Sequence, residues 1–337
     1  MKKLSFLDTL IYLINTVLAT ILLLSYIVPY ISPTSLPSTA IIGLAVPFLI
    51  IFNALFLLYW LIKLKKQLLI SAVVLAIGWF ASPSFYEFSD KQTPLNTDLK
   101  VMSYNVRMFN HYKWNSDKQL AQKTFDFIQK KSPDILALQE FYQSPNISFT
   151  YPYKYIKTKS KRNKFGLAIY SKYQILNAGS LDFNNSANNI IFADILIKKD
   201  TIRVYNIHLE SLKINPKKEY FGEENNEKLL GRLQSTFQKQ ALQTQQFLAH
   251  EKQWKGKKIV LGDFNNTSFS WVYRNIRKNK KDAFLIAGKG FGKTFDYPFP
   301  LRIDFIFTDT SIEINSFKRY NEKFSDHYPI LARLNWE

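Results

Sequence analysis

Three long stretches without a charged residue open this chain of 337 residues, and they restrict what its first quarter can become. Leu10–Val28 is uncharged and ends at Pro29. Thr39–Ile62 is uncharged too, interrupted by Pro47 and Asn53. Leu68–Tyr86 is a third such run, weakened by Ser71, Gly78 and the Ser82-Pro83-Ser84 ending. About twenty apolar residues in a helix span the hydrocarbon core of a bilayer. Residues 1–90 are therefore expected to form an all-α membrane anchor with three transmembrane helices, at about 10–28, 39–62 and 68–86. A cleaved signal peptide competes for the first run. Its Lys2-Lys3 start fits, but the run is long and no small-residue cleavage site follows. The third run has the alternative of lying flat in the interface.

Orientation follows from the basic loops. Lys2 and Lys3 precede the first run; Lys63, Lys65 and Lys66 separate the second and third; Tyr30–Ser38 carries no charge. Basic loops stay on the cytoplasmic side. Three spans then put everything after Tyr86 on the outer face, periplasmic or extracellular. If the third run does not cross, the rest is cytoplasmic.

The remainder of the chain is strongly basic. Lys+Arg number 45 against 26 Asp+Glu, a formal +19. Residues 1–90 hold five basic residues and three acidic ones (Asp8, Glu87, Asp90), which leaves 40 against 23 and a formal +17 for residues 91–337. Such a surface attracts polyanions, whether nucleic acid or anionic headgroups, unless it is only a well-solvated face. Cys is absent, which excludes disulfides, thiolate metal sites and a cysteine nucleophile. Residues 91–98, with Pro94, read as a polar linker.

From Leu99 onward, short apolar runs alternate with a few helical patterns. Strands are expected at Leu99–Tyr104, Asp134–Leu138, Tyr153–Lys157, Phe165–Tyr170, Ile190–Ile197, Ile202–Leu209, Ile259–Leu261, Ile303–Phe307 and Tyr328–Leu334. Ser116 is placed to cap a helix running to about Lys131, and Asn226–His250 is the longest helix. Strands outnumber helices and adjoin one another, so an α+β sandwich fits better than a doubly wound sheet.

Six of the strand ends deliver Asn, Asp, Glu or His: Ser103-Tyr104-Asn105-Val106, Leu138-Gln139-Glu140, Tyr205-Asn206-Ile207-His208-Leu209, Gly262-Asp263-Phe264-Asn265, Arg302-Ile303-Asp304-Phe305-Ile306 and Ser325-Asp326-His327-Tyr328-Pro329. Gly-Asp-x-Asn alone is also ordinary turn chemistry. At a strand tip, however, residues two apart share a face, so a carboxylate able to orient water sits beside an amide able to donate to a phosphate oxygen. Together and in this order, the six motifs resemble the endonuclease/exonuclease/phosphatase (DNase I-like) superfamily over residues 99–337.

That resemblance implies a four-layer α/β/β/α sandwich and Mg²⁺-dependent (Mn²⁺ possible) hydrolysis of phosphate esters by in-line attack of water. It implies Glu140, Asn105 and Asp326 as the metal region, Asp263 as the residue aligning or deprotonating the water, and Asn265 as a phosphate holder. It further implies His327 as the catalytic histidine, oriented by Asp304, and His208 as a second histidine donating to the phosphate or leaving oxygen. Asn105, Asn265 and His208 would contact substrate. His111 and His250 match nothing in the pattern. Arg302 either touches substrate or pairs with Asp304.

Substrate stays open. Lys157–Lys164 and Arg274–Lys281 could grip a polyanion, and Phe295–Phe299 could stack on bases or enter a bilayer interface. A nuclease is slightly favoured. A phospholipid- or sphingomyelin-type phosphodiesterase or phosphatase, and an inactive membrane-bound binding module on the same fold, are the alternatives. Oligomeric state is not readable.

Overall fold

The computed structural model describes residues 4–83, 85–88, 91–143, 148–160, 164–213 and 226–336. Three helices come first: α1 (Phe6–Ser25), α2 (Thr39–Ile62) and α3 (Leu68–Ala81). The first two are long and apolar enough to cross a membrane by length and composition. The third run is helical only to Ala81. Fourteen residues reach about 21 Å at 1.5 Å per residue, short of a bilayer core of roughly 30 Å. The chain breaks there because Pro83 cannot continue the backbone ladder.

The bundle is pinned from inside by polar contacts. Asn15 Nδ2 donates to Ser71 Oγ (2.7 Å), Ser71 Oγ to Asn53 Oδ1 (3.1 Å), and Trp60 Nε1 to Asn15 Oδ1 (3.0 Å). One buried network thus ties all three helices together, as polar side chains do where apolar surface gives no directional preference. At the opposite end from Tyr30, Lys63 Nζ meets Asp8 Oδ1 at 2.6 Å.

The rest is a sandwich of two mixed sheets. The elements are β1 (Leu99–Asn105), α4 (Leu120–Lys131), β2 (Ile135–Tyr142), β3 (Tyr153–Thr158), β4 (Phe165–Ser171), β5 (Ile175–Ser180), β6 (Asn189–Ile197), β7 (Asp200–His208), α5 (Asn226–Glu251), β8 (Lys258–Asp263), α6 (Trp271–Arg277), β9 (Lys280–Asp282), α7 (Ala283–Ala287), β10 (Asp304–Asp309), β11 (Glu313–Arg319) and β12 (Ile330–Asn335). One sheet has the order β11-β12-β1-β2-β4-β3 and the other β5-β6-β7-β8-β10-β9.

Alternation along the strands builds the layers. Val101, Ile135, Ala137 and Ile169 point inward to meet Ile191, Val204, Ile259, Leu261 and Ile306 of the other sheet. The residues one step away face outward: Met102, Leu136 and Leu138 under Phe127 and Ile128 of α4, and Tyr205, Val260, Phe305 and Phe307 under Phe247 of α5 and Tyr273 of α6. This is the four-layer α+β sandwich that the family resemblance implied, and its strand-rich character is what the apolar pattern called for. The core between the sheets is crossed at one end by a polar bridge. Gln139 Nε2 donates to Asn206 Oδ1 (2.7 Å), and Asn206 Nδ2 to the carbonyls of Leu138 (2.9 Å) and Ala168 (3.0 Å).

Several local expectations need correction. Helix α4 starts at Leu120 and not at Ser116, because Asn110 accepts from Asn115 N and donates to the Asn115 and Asp117 carbonyls, holding that stretch in turns. The expected linker is no free tether: Thr93 N bonds Asn315 O (3.1 Å), and Arg333 reaches the Leu95 carbonyl. The helix bundle also docks on the sandwich. Ala40 packs with Leu233 and Phe237 of α5, while Phe269 joins Ala19, Val46 and Leu49 of the bundle.

Candidate active site

The two sheets present their functional residues at one end, for a topological reason. β1 runs parallel to β2, and β7 parallel to β8, so Asn105, His208 and Asp263 all terminate strands on the same side. β10 and β12 run antiparallel to these and enter from that side, which brings in Asp304 opposite Asp263 and places His327 just before β12. Glu140 reaches the same end through a local irregularity: the β2–β4 register slips between Leu138 and Phe141, and Glu140 adopts φ +46. A non-glycine residue in that conformation costs energy and is characteristic of functional positions.

Gly262 explains the glycine of the Gly-Asp motif. Its φ is +140, and a Cβ there would stand 2.0 Å from the Ile207 carbonyl oxygen, so only glycine lets β8 approach β7 this closely.

Asp263 is the hub. It is buried, Oδ1 accepts from the Asn265 backbone N–H (2.8 Å), and Oδ2 accepts from Asn105 Nδ2 (3.0 Å). The same Oδ2 lies 3.7 Å from His208 Nε2 and 3.6 Å from His327 Nε2. Burial pushes the Asp263 carboxyl up to about 6, against the opposing pull of the neighbouring His327. His327 Nδ1 donates to Asp304 Oδ2 at 2.9 Å. Burial alone would lower His327, but the Asp304 and Asp263 carboxylates hold it well above the ordinary histidine value. Burial lowers His208 below the ordinary histidine value and so favours its neutral form, and its Nε2 has no hydrogen-bond partner among the described residues. Two histidines in one site thus carry opposite protonation tendencies.

Glu140 and Asp326 form the other half. Burial and the nearby Asp326 charge push the Glu140 carboxyl up, a like-charge conflict that a divalent cation relieves. Both are hard oxygen donors of the kind Mg²⁺ takes, so the residues fit such an ion. Arg107 Nη1 sits 2.9 Å from Asp326 Oδ2, and its guanidinium stacks on Trp114 at 4.5 Å. Arg107 begins a left-handed turn in which Arg107, Met108, Phe109 and Asn110 all have positive φ. Asp263, Asp304 and His327 also cluster within 4.8 Å, but Asp304 Oδ2 and His327 Nδ1 are spent on each other.

Two expected roles read differently in the geometry. Asn105 turns its nitrogen toward Asp263 Oδ2 and Glu140 Oε1 (3.4 Å), and its oxygen accepts from Arg107 N (3.1 Å). It therefore orients carboxylates rather than offering an oxygen to a metal. Asn265 Nδ2 donates to the Leu209 carbonyl (2.9 Å), so its amide braces the loop. Arg302 pairs with Asp282 (2.7 Å), buried against Phe284 and Phe305, and touches neither Asp304 nor the cleft. His111 stacks on Tyr142, and His250 bonds Tyr205 OH.

A cleft of about 510 Å³ leads to the site, lined by Glu140, His208, Met108, Tyr112, Phe165 and the cations Lys157, Lys159 and Lys213. The basic loop at 157–164 thus flanks the cleft, although its residues 161–163 lie outside the described ones. Arg274–Lys281 lies elsewhere, against the helix bundle. Phe295, which opens the aromatic stretch Phe295–Phe299, has its ring 5.1 Å from that of His327, and sequence reasoning missed Arg107. The signal for Arg107 was its place two residues after Asn105.

Fold and site together define a DNase I-like phosphoester-hydrolase scaffold. The chain belongs to the endonuclease/exonuclease/phosphatase family, which matches residues 102–327. Residues 8–85 match a domain of unknown function, DUF8431. Among solved structures, the human nocturnin catalytic domain with bound sulfate is 15% identical, covering 72% of this chain and 96% of that one at a TM-score of 0.53. Truncated Caenorhabditis elegans TDP2 is 16% identical over 73% and 99%, at 0.52. An endonuclease/exonuclease/phosphatase from Bacteroides vulgatus is 21% identical over 72% and 100%, at 0.50. At these identities the likeness is one of fold. No curated protein matches the chain.

Proposed function

We propose that the chain is a membrane-anchored, divalent-metal-dependent phosphodiesterase. The observation that carries this reading is the meeting of Asp263 with Asn105, His208 and His327 within 3.0 to 3.7 Å at one mouth of the sandwich. Asp263, poised near neutrality, takes the proton of a water attacking phosphorus in line. The His327 imidazolium, fixed by Asp304, donates to a phosphoryl oxygen as charge builds there. Neutral His208 offers its unpartnered Nε2 to the phosphate or the leaving oxygen. Asn105 holds Asp263 in its working rotamer. Glu140 and Asp326 would hold Mg²⁺ or Mn²⁺, which would supply charge neutralisation at the phosphoryl group.

Nucleic acid is the favoured substrate because Lys159 and Lys213 flank the cleft, with Lys157 paired there to Asp182 (2.8 Å), alongside aromatic and apolar walls that could receive bases. A lipid headgroup is the second reading. It is favoured by Phe299, whose ring lies 4.1 Å from that of Phe48 of α2, tilted by 53°, and so joins the aromatic loop beside His327 to the apolar bundle. The sandwich sits at the end of the bundle away from Lys63, Lys65 and Lys66, which puts it outside if the basic end is cytoplasmic and the short α3 completes a crossing.

The test uses the full chain in detergent with Mg²⁺, offered plasmid DNA, RNA, bis(p-nitrophenyl) phosphate and mixed phospholipid vesicles. Asp263→Asn and His327→Ala serve as blanks. Turnover lost in both blanks supports the proposal; no turnover on any ester from folded protein overturns it in favour of a binding module.

A further inference from the structure

We infer a second anion site, separate from the catalytic cleft, that holds the phosphate of an anionic membrane lipid where the sandwich meets the helix bundle. It rests on the reading that the bundle lies in a membrane. A pocket of about 490 Å³ opens there, between Tyr30 beyond α1, Phe80 and Ala81 at the end of α3, and the basic side of α6. It shares no lining residue with the cleft that holds Glu140 and His208.

The chemistry of the walls points to the ligand. Arg274, Arg277 and Lys278 line the pocket and have no carboxylate partner among the described residues, whereas Lys280, beside them, is neutralised by Glu251 at 2.7 Å. Arg274 holds its guanidinium 4.0 Å over the ring of Tyr30, which fixes the cation at the level where the helix ends. Three cations against the acidic lining residue Glu87 leave an excess positive charge suited to a phosphate. Another part of the lining is apolar and exposed: Phe80 is 88% accessible, and its neighbour Trp79, outside the pocket, is 66% accessible. Aromatic residues at helix ends are typical of the membrane–water boundary.

A track for an acyl chain leads away from the pocket. Ile77, Val73 and Leu69 lie four, eight and twelve residues before Ala81, a row that starts at the pocket's edge and winds round α3 by about 40° per step. They are exposed at 41%, 54% and 58%. A phosphate among Arg274, Arg277 and Lys278 with a hydrocarbon chain along Ile77, Val73 and Leu69 uses both surfaces; a soluble anion would use only the first.

The experiment takes the full chain in EDTA, delipidated in detergent, and adds phosphatidylglycerol or phosphatidylcholine before native mass spectrometry. Retention of phosphatidylglycerol over phosphatidylcholine is expected. R274Q/R277Q should weaken it by about fivefold per arginine, while R274K/R277K and the remote pair K130Q/K199Q should keep it. Equal retention of the two lipids, unchanged binding in R274Q/R277Q, or loss in the lysine variant (a packing effect) each overturns the site. If glycerophosphoglycerol or inorganic phosphate competes as well as intact lipid, the pocket binds free anions and the lipid assignment falls. Turnover of bis(p-nitrophenyl) phosphate with Mg²⁺ in the same preparations separates the two proposals. Turnover without lipid retention sinks the lipid site alone, and retention without turnover sinks the hydrolase alone.

Discussion

Thr267 Oγ1 donates a hydrogen bond, 3.1 Å long, to the backbone carbonyl of Gly43, inside the apolar helix α2. That carbonyl is available because Pro47, four residues on, has no N–H to offer it. Gly43 itself permits the approach: a Cβ there would press against the Phe269 carbonyl at 3.3 Å. The loop that carries Asp263 and Asn265 therefore ends on a helix that composition alone assigns to lipid. Thr267→Val keeps the shape but leaves a buried carbonyl unsatisfied, a loss of about 1 kcal/mol. The full chain should melt about 2–4 °C lower, with Thr267→Ser close to wild type. Identical melting of the two variants would remove this bond from the account.

Cutting the chain at Lys91 should expose what the bundle covers. Leu233, Phe237 and Phe269 lose their partners on α1 and α2. The fragment should bind a hydrophobic dye and self-associate in light scattering. A monodisperse fragment with full-length turnover would mean the docking is dispensable.

The pH profile of kcat/KM should be a bell. Asp263 works as a carboxylate, and with its carboxyl raised to about 6 the acid limb should fall there rather than near 4. His327 works protonated, and since its folded value is raised, activity declines only well above pH 7. Asp304→Asn removes the charge that raises it, so the basic limb should move down, with a loss of roughly 10² or more in kcat at neutral pH. A basic limb that stays put would contradict the Asp304–His327 assignment.

Glu140→Gln should weaken metal use. Activity should drop at limiting Mg²⁺ by roughly 10²-fold and partly recover at saturating metal, with little change in melting temperature without metal. Unchanged Mg²⁺ dependence in a titration would move the metal to the Asp263, Asp304 and His327 group.

The strand tips could be read from the sequence because each apolar run ends abruptly on a polar residue. The inner strands β1, β2, β7 and β8 are buried on both faces and so carry unbroken apolar signals. Edge strands could not be read so easily. Ile175–Ser180 and Glu313–Arg319 are half polar and are held by pairing with β6 and β12 rather than by their own pattern. Ser116 has the right chemistry for a cap, but Asn110 holds the following residues in turns. Arg302 could not be placed because its partner, Asp282, is twenty residues earlier. The docking face of α2 was invisible for a simpler reason: Ala40, Gly43 and Val46 look the same whether they face lipid or protein.

The catalytic constellation straddles a seam. Asn105 and Glu140 ride on one sheet, His208 and Asp263 on the other, and two apolar surfaces in contact have no preferred offset of their own. The Gln139–Asn206 bridge acts there as a shear pin, one residue before Glu140 and two before His208. Slippage between the layers is thereby blocked at the place where a fraction of an ångström separates a productive spacing from a useless one. On the proposed reading, the reach between the half that would hold the cation and the half that would accept the proton is a property of two buried neutral amides.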